Sequence, residues 1–185
     1  GAIFSEANID FSNIHKVKFY ENVVESSGET GIISSKKISI SKGSHSFSNN
    51  ILGQHSGGII IASNSININD ADINFINNFN KDKDAGSDIG ITTYGAAINS
   101  KDSITLKDVS INFIANPDLW AIYMGSGTTI DINIANFDFS VNRKVHNRKV
   151  HNIYLGKTMK TVYSKNITSS MERNLNYTCD GGDDC

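Results

Sequence analysis

The chain has 185 residues, and 17 Lys and Arg residues against 19 Asp and Glu residues give a formal net charge of -2. This length fits one domain, and the near balance of charge disfavours nucleic acid, which attracts its partners by bulk charge. No apolar run approaches the roughly 18 residues that a membrane span needs, and we expect no retained signal peptide. Multidomain proteins, membrane-spanning helices and nucleic-acid binders are therefore disfavoured.

Local composition favours β-strands over helices. Ala and Leu, which are good helix formers, are sparse, and no stretch keeps the helical period of 3.6 residues. Short segments of alternating apolar and polar residues recur instead, and Gly, Asn, Ser and Asp residues separate them. The chain is therefore predicted to belong to the all-β class.

An internal repeat organises the chain, because the pattern Phe-x-x-Asn occurs five times with successive Phe residues 28, 28, 38 and 26 residues apart. The five pairs are Phe19/Asn22, Phe47/Asn50, Phe75/Asn78, Phe113/Asn116 and Phe139/Asn142. Upstream of each Phe the apolar positions keep nearly the same spacing, as in Ile66 and Ile73 before Phe75. Small residues followed by Ile begin each unit, as at Gly57 and Gly58. Each unit thus offers three short strands.

Units of this length without a helix are typical of a solenoid, in which each coil stacks on the next at roughly 4.8 Å and pairs in parallel. We predict a right-handed parallel β-helix (solenoid) of about five to six coils, each with three short strands, and the handedness follows from the bias of parallel crossovers. Ile and Phe then point inward and stack. The Asn after the third strand should tolerate left-handed backbone and form a ladder, and the opening Gly should allow a tight corner.

The limits of the repeat suggest three regions. Residues 1–142 are expected to form the repeats, as a fragment of a longer solenoid, with a loop insertion at 79–94. Residues 143–163 are expected to form an irregular last coil, where the pattern lapses. Residues 164–185 are polar and are expected to form a C-terminal cap or tail.

The pair Phe47 and Asn50, followed by Gly57 and Gly58 and two Ile residues, resembles the paired Phe-x-x-Asn and Gly-Gly-Ala-Ile motifs of chlamydial polymorphic membrane proteins. The resemblance covers residues 1–142 and implies a surface-exposed or secreted right-handed β-helix with a role in adhesion and no enzymatic activity. It also implies binding by the repeated Phe, Asn and Gly residues. Inward Phe and turn Asn are, however, what a coil itself requires, so these residues are read as mainly structural.

The insertion carries alternating acidic residues, Asp82, Asp84 and Asp88. Carboxylate oxygens suit calcium, but the spacing lacks the later Glu of an EF-hand and two neighbouring lysines oppose the cation. A solvated loop and a partner-binding loop are the alternatives. Apart from this possible calcium, no cofactor is expected.

Arg143, Lys144, Arg148 and Lys149 concentrate positive charge in a tandem Arg-Lys-Val-His-Asn repeat. Several cations on one exposed turn would suit an anionic glycan such as a sulfated polysaccharide. Duplication by sequence slippage would leave the same residues without function. The two His residues of the tandem have no third ligand close by, so no zinc site is expected.

Cys179 and Cys185 enclose five residues rich in Gly and Asp and can close a small disulfide in an oxidising compartment. Free thiols, or pairing with residues outside this chain, are the alternatives. Asn166 and Asn176 are glycosylation acceptors if the source is a secreting eukaryote. His45 falls on an inward position, which favours a core or edge imidazole over a catalytic one.

The leading hypothesis is a non-enzymatic adhesin-like segment, extracellular or at the cell surface, that presents loops to a cell-surface receptor, matrix or glycan. The alternatives are a structural spacer that self-associates through its coil ends and a polysaccharide-binding or polysaccharide-cleaving β-helix. Cleavage is the least favoured, since only three Arg residues are present, all after the repeats, and the adjacent carboxylate pair Asp183-Asp184 lies in the tail rather than on a strand. No catalytic residue is assigned.

Overall fold

The computed structural model describes residues 2–25, 28–53, 56–80, 96–114, 120–124, 129–138, 153–155, 161–169 and 177–179. These ranges consist of β-strands and short turns, and they contain no helix that could cross a membrane. The strands are β1 (Ile3–Phe4), β2 (Asn8–Ser12), β3 (Lys16–Tyr20), β4 (Val23–Val24), β5 (Gly28–Ser41), β6 (Ser44–Ser48), β7 (Ile51–Leu52), β8 (Ser56–Ile76), β9 (Phe79–Asn80), β10 (Ala96–Ser100), β11 (Ser103–Ile114), β12 (Trp120–Met124), β13 (Thr129–Asp138), β14 (Ile153–Leu155), β15 (Thr161–Ser169) and β16 (Tyr177–Cys179).

The described strands pair in parallel throughout. Within the described ranges thirteen strands join into one sheet that curls into a half-barrel, and β4, β7 and β9 form a second sheet. β8 is central in the large sheet, with β5 and β6 along one edge and β10 and β11 along the other. The protein is therefore an all-β protein built on parallel sheets.

The pairing register follows the sequence repeat. Phe19 lies opposite Phe47, Phe47 lies opposite Phe75, and Phe75 lies opposite Phe113. Each strand thus pairs with the equivalent strand of the next repeat unit. Because paired parallel strands lie about 4.8 Å apart, side chains at equivalent positions stack on one another.

The four Phe rings form a continuous stack inside the molecule. Neighbouring ring centroids are 5.2, 5.2 and 5.3 Å apart, and the planes of neighbouring rings differ by at most 18°. In-register pairing produces this stack, since it puts the same residue at the same height in every unit. Apolar side chains from the described units surround the rings and complete one hydrophobic core.

Corners of the large sheet are made by residues with left-handed backbone, a single residue at Asp70 and at Asp108 and the pair Lys42 and Gly43 in an earlier unit. Lys42, Asp70 and Asp108 occupy equivalent positions with φ of 64°, 52° and 51°. One such residue turns the chain and lets strand pairing continue on both sides of the corner. For this reason β8 runs unbroken from Ser56 to Ile76, where the sequence pattern predicted three separate short strands.

The second sheet was not predicted from the sequence. Its strands have two residues each and follow the Asn of the Phe-x-x-Asn pattern. Val24 and Leu52 are 1% and 0% exposed, so this sheet closes part of the core. Of the insertion expected at 79–94, Phe79–Asn80 is β9, which pairs with β7, and residues 81–94 lie outside the described residues.

The glycines that open the units allow neighbouring strands to approach closely. Gly31 lies in β5 opposite Gly58 of β8, and Gly57 also lies within β8. A Cβ on Gly31 would lie 2.6 Å from the carbonyl oxygen of Gly58 and 2.9 Å from Cδ1 of Ile61. Gly58 has a positive φ of 153°, and the register of β5 against β8 shifts between Gly28 and Gly31, so the backbone is irregular at these glycines and a tight corner there stays a prediction. A glycine with left-handed backbone also lies at the corner residue Gly43, which has a φ of 79°.

Parallel pairing continues after the five predicted repeats. β14 pairs with β12, β15 pairs with β13, and β16 pairs with β14. β15 crosses from the region expected to be an irregular last coil, 143–163, into the region expected to be a cap or tail, 164–185. Both regions therefore contribute strands to the large sheet.

Candidate functional site

A ladder of Asn side chains runs beside the Phe stack, as the repeat predicts. Nδ2 of Asn22 donates to Oδ1 of Asn50, and Nδ2 of Asn50 donates to Oδ1 of Asn78, each over 2.9 Å. The same two oxygens accept the backbone N–H of the donating residue over 3.0 and 3.1 Å. Asn50 and Asn78 are fully buried. The ladder thus pairs amide groups that would be costly to bury without partners.

The left-handed backbone belongs to the residue before each ladder Asn. Glu21, Asn49 and Asn77 have φ of 55°, 54° and 52°, whereas the ladder Asn residues keep negative φ. The expectation that the Asn of the pattern takes this conformation is therefore wrong. The turn at the preceding residue aims the N–H and the Nδ2 of the ladder Asn at the next unit, which the ladder requires.

The described Phe residues of the pattern are core residues. Phe47, Phe75 and Phe113 are at most 1% exposed, and Phe19 is 8% exposed. A ligand that approaches the folded protein cannot reach the three buried rings. Contact with a partner must use outward side chains of the same strands or the turns between them.

His45 is also a core residue. It is 1% exposed and lies between Val17 and Ile73 in the paired strands. Its Nε2 lies 2.8 Å from the carbonyl oxygen of Lys42, so this nitrogen carries the proton and donates the bond. The predicted core role of His45 is confirmed.

The residues predicted to bind calcium, a partner or an anionic glycan lie outside the described residues. They are Asp82, Asp84, Asp88, Arg143, Lys144, Arg148 and Lys149. Asn116, Phe139, Asn142, Asn176 and Cys185 also lie outside them, and Asn166 and Cys179 are described by their backbone alone, in β15 and β16. In the described part of the chain, no three His, Cys, Asp or Glu side chains are grouped to hold a metal ion.

A groove of about 290 Å³ crosses four successive repeat units and is here named the serine groove. Its lining consists of Phe4, Ser5, Glu6, Ser34, Ser35, Lys36, Ile61, Ser63 and Lys101. Four of these nine residues are Ser, and three carry charge. The groove therefore combines hydroxyl, ammonium and carboxylate groups with one aromatic ring.

Strand pairing assembles the serine groove. Phe4 lies opposite Ser34, and Ser34 lies opposite Ile61, so three units supply one row of side chains across the sheet. Beside Lys36 the register between β5 and β8 shifts by one residue. Irregularities of this kind bend a strand and redirect its side chains, which explains how Lys36 and Ser63 come to line the same groove.

The walls of the groove are held in place by hydrogen bonds to the backbone. The hydroxyl of Ser35 donates to the carbonyl oxygen of Ala7 over 2.7 Å, which joins the first two units. Oγ of Ser34 accepts the N–H of Gly31 over 2.7 Å. These buried hydroxyls are fixed, whereas Phe4 is 70% exposed. The groove thus has a rigid polar wall beside an accessible ring.

Sequence reasoning missed the serine groove. A signal was present, since Ser and Lys recur after the first apolar segment of two units, at Ser35-Lys36 and Ser100-Lys101. The pattern did not show that Phe4 would lie beside them, because Phe4 occupies a position that is Ser34 in the next unit.

Comparison with known proteins adds no family to this picture. No protein-family model, no curated protein and no solved structure matches the chain. The candidate site is therefore defined by its own residues. They supply the exposed ring of Phe4, several hydroxyl groups and two ammonium groups along paired strands.

Proposed function

We propose that the parallel sheets belong to a right-handed parallel β-helix (solenoid) of about five to six coils. Parallel pairing between equivalent residues of successive units supports this arrangement, as do the Phe stack and the Asn ladder. The right hand is the expected one, because parallel crossovers are right-handed in about 98% of cases. The resemblance to chlamydial polymorphic membrane proteins points the same way.

We propose that the protein is a non-enzymatic adhesin-like segment, surface-exposed or secreted, which binds a glycan in the serine groove. The observation that carries the proposal is the exposed ring of Phe4 beside the hydroxyl and ammonium groups of the groove. Adhesion is also the role that the family resemblance implies. The paired strands that carry the groove residues supply a stiff support for such a site.

The groove matches the chemistry of a sugar. A sugar ring has an apolar C–H face, which can pack on the ring of Phe4, and a rim of hydroxyls, which suits Ser and Lys side chains. The groove has two positively charged residues, Lys36 and Lys101, and one negatively charged residue, Glu6. Sulfate or carboxylate groups on the glycan would therefore be attracted to it. Because the Ser wall is already ordered, less conformational entropy is lost on binding.

Heparin and chemically desulfated heparin are the probes that test this function. We expect the 185-residue chain to bind heparin saturably and to bind the desulfated form more weakly. Phe4→Ala, and separately the pair Lys36→Ser and Lys101→Ser, should each weaken heparin binding at least tenfold. The pair Lys18→Ser and Lys107→Ser is the matched control, since both residues are exposed and lie outside the groove.

Melting curves and circular dichroism show whether every variant is folded. Equal heparin affinity for the groove pair and the control pair would contradict a glycan site in the serine groove. Lack of saturable binding to either probe would favour the spacer hypothesis instead. Release of shortened or unsaturated sugars from the probes would favour the polysaccharide-cleaving alternative.

A further inference from the structure

One turn position recurs in successive repeat units and is here named the outer corner. Strand pairing puts four residues with described side chains at this position, namely Asn13, Lys42, Asp70 and Asp108. All four have left-handed backbone, with φ of 61°, 64°, 52° and 51°, and all four are exposed. The outer corner therefore keeps its side chain in solvent in each of these units.

Strand pairing does not use the side chain at the outer corner. The N–H of Asn13 donates to the carbonyl oxygen of Ser41, and the N–H of Lys42 donates to that of Asn69, each over 3.1 Å. Around Asp70 the residues on both sides pair with the next unit. A change in the size of the corner side chain thus leaves the hydrogen bonds of the sheet in place.

Asn166 has the same place in the repeat. In β15 the residues on both sides of Asn166 pair, through β13, with the residues on both sides of Asp108 in β11. Ile134 holds this position in β13. Asn is one of the few residues besides Gly that tolerate left-handed backbone, as Asn13 does at the outer corner. The identity of Asn166 therefore suits this position.

Asn166 also begins the sequence Asn-Ile-Thr, which is an acceptor for N-linked glycans. Ile167 has the register position of Val109, which is 3% exposed, whereas Thr168 has the register position of Asp72, which is exposed. The acceptor and the Thr thus fall on outward positions of the repeat, and the apolar residue between them falls on a core position.

The register matters because the acceptor sequence alone does not show whether a fold can carry a glycan. A glycan is bulky and rich in hydroxyl groups, so attachment at a core position would bury polar groups without partners. Attachment at the outer corner leaves the glycan in solvent and the strand pairing intact.

We propose that Asn166 carries an N-linked oligosaccharide when the chain is made in the secretory pathway of a eukaryotic cell. In the transfer, Nδ2 of Asn166 forms a bond to C1 of the first sugar of a lipid-linked oligosaccharide diphosphate. The bond between that carbon and the diphosphate oxygen breaks, the lipid diphosphate leaves with the electron pair, and Nδ2 loses one proton. The proposal rests on the secreted location proposed above. It does not depend on the serine groove, whose lining includes no residue of the outer corner.

The test uses the 185-residue chain, placed behind a cleavable signal peptide and secreted from cultured insect cells. Trypsin cleaves after Lys165 and Arg173, so the peptide 166–173 separates from the second acceptor at Asn176. We expect mass spectrometry to find a glycan on this peptide that peptide N-glycosidase removes. Thr168→Ala should lower the glycan occupancy of the peptide at least tenfold.

A matched pair of variants tests the outer corner in a unit with described side chains. Asp108→Asn creates the acceptor sequence Asn-Val-Ser at this position, and the secreted chain should then carry one further glycan. The double variant Asp108→Asn and Ser110→Ala introduces the same amide without an acceptor sequence and should carry none. Circular dichroism and heparin binding of Thr168→Ala should equal those of the native chain.

Three outcomes would overturn the proposal. Secretion of a folded chain without a glycan on Asn166 would contradict it directly. A higher melting temperature after enzymatic removal of the glycan would show that the fold does not accommodate it at this corner. Failure of every variant to leave the cell would count against the secreted location as well, whereas loss of heparin binding alone would affect only the serine groove.

Discussion

Nδ2 of Asn50 donates a hydrogen bond to Oδ1 of Asn78 across two paired units, over 2.9 Å, and neither side chain has any exposed surface. A buried amide is costly when unpaired, but a satisfied network specifies one arrangement of the chain. Here the network specifies the register, because a slip of one residue would turn these amides away from their partners and move the Phe rings out of the core.

The first prediction concerns the ladder. Asn50→Ala removes the acceptor of two bonds from Asn22 and the side-chain donor to the carbonyl of Phe19, and it leaves Oδ1 of Asn78 with the backbone N–H of residue 50 but without the bond from Nδ2. Each buried unsatisfied group costs roughly 1–3 kcal/mol, so we expect a loss of at least about 2 kcal/mol in the free energy of unfolding. Urea denaturation measures it.

A matched variant calibrates the ladder prediction. Asn112→Ala removes one side-chain bond from a partly buried position and should cost about 1 kcal/mol or less. If the two Ala variants unfold at the same urea concentration, the buried bonds of Asn50 stabilise the fold no more than the partly buried bond of Asn112.

The second prediction concerns the Phe stack. Phe75 is fully buried between Phe47 and Phe113, so Phe75→Ala leaves a cavity and should lower the free energy of unfolding by about 3–5 kcal/mol. Lys107→Ala, at an exposed position of β11, should change it by no more than about 0.5 kcal/mol. Urea denaturation of both variants measures these changes. A larger loss of stability for Lys107→Ala than for Phe75→Ala would contradict the inward position of the Phe stack.

The third prediction concerns Gly31. The Cβ of Ala at this position would lie 2.6 Å from the carbonyl oxygen of Gly58, so paired backbones would have to move apart. Gly31→Ala should therefore destabilise the fold by about 1–3 kcal/mol, as overpacking does. Ser39→Ala in the same strand should have a smaller effect. Thermal melts test this, and an unchanged melting temperature for Gly31→Ala would show that the strands are not so close.

The fourth prediction concerns pH. The carboxylate of Asp10 accepts bonds from the hydroxyl of Ser12 and from its N–H, the latter over 2.8 Å, and these hold the pKa of Asp10 below its ordinary value of 3.8. A pKa lowered by folding contributes stability above the unfolded-state value, and the contribution disappears as pH falls through the folded-state value. Asp10→Asn should thus melt slightly below the native protein at about pH 7.

The difference between the two proteins should shrink as the pH falls below 3.8 and through the lowered folded-state pKa of Asp10, because Asp10 then becomes protonated in the folded as well as in the unfolded chain. Melting temperatures across this pH range provide the measurement. A difference that stays constant from neutral to acid pH would mean that the charge of Asp10 makes no contribution.

Much of the fold was predictable because a parallel, in-register sheet translates sequence period into spatial contact. The spacing of Phe19, Phe47 and Phe75 predicted the stack, and the Asn three residues after each Phe predicted the ladder. The paired strands bear out both patterns. Such features depend on the identity of one residue per unit and on its place in the repeat, and the sequence contains both.

Other features depend on three-dimensional distance. Two-residue strands such as β4 and β7 are too short to carry a periodic signal, and the contact of Gly31 with Gly58 depends on how closely two strands approach. The serine groove brings Phe4 and Lys101 together although they are far apart in the chain. The sequence by itself determined the period, the core positions and the parallel pairing, because equivalent residues recur in one frame. Only the tertiary structure decided which residue turns each corner and which side chains share a surface, because register shifts and strand separation depend on the packed chain as a whole.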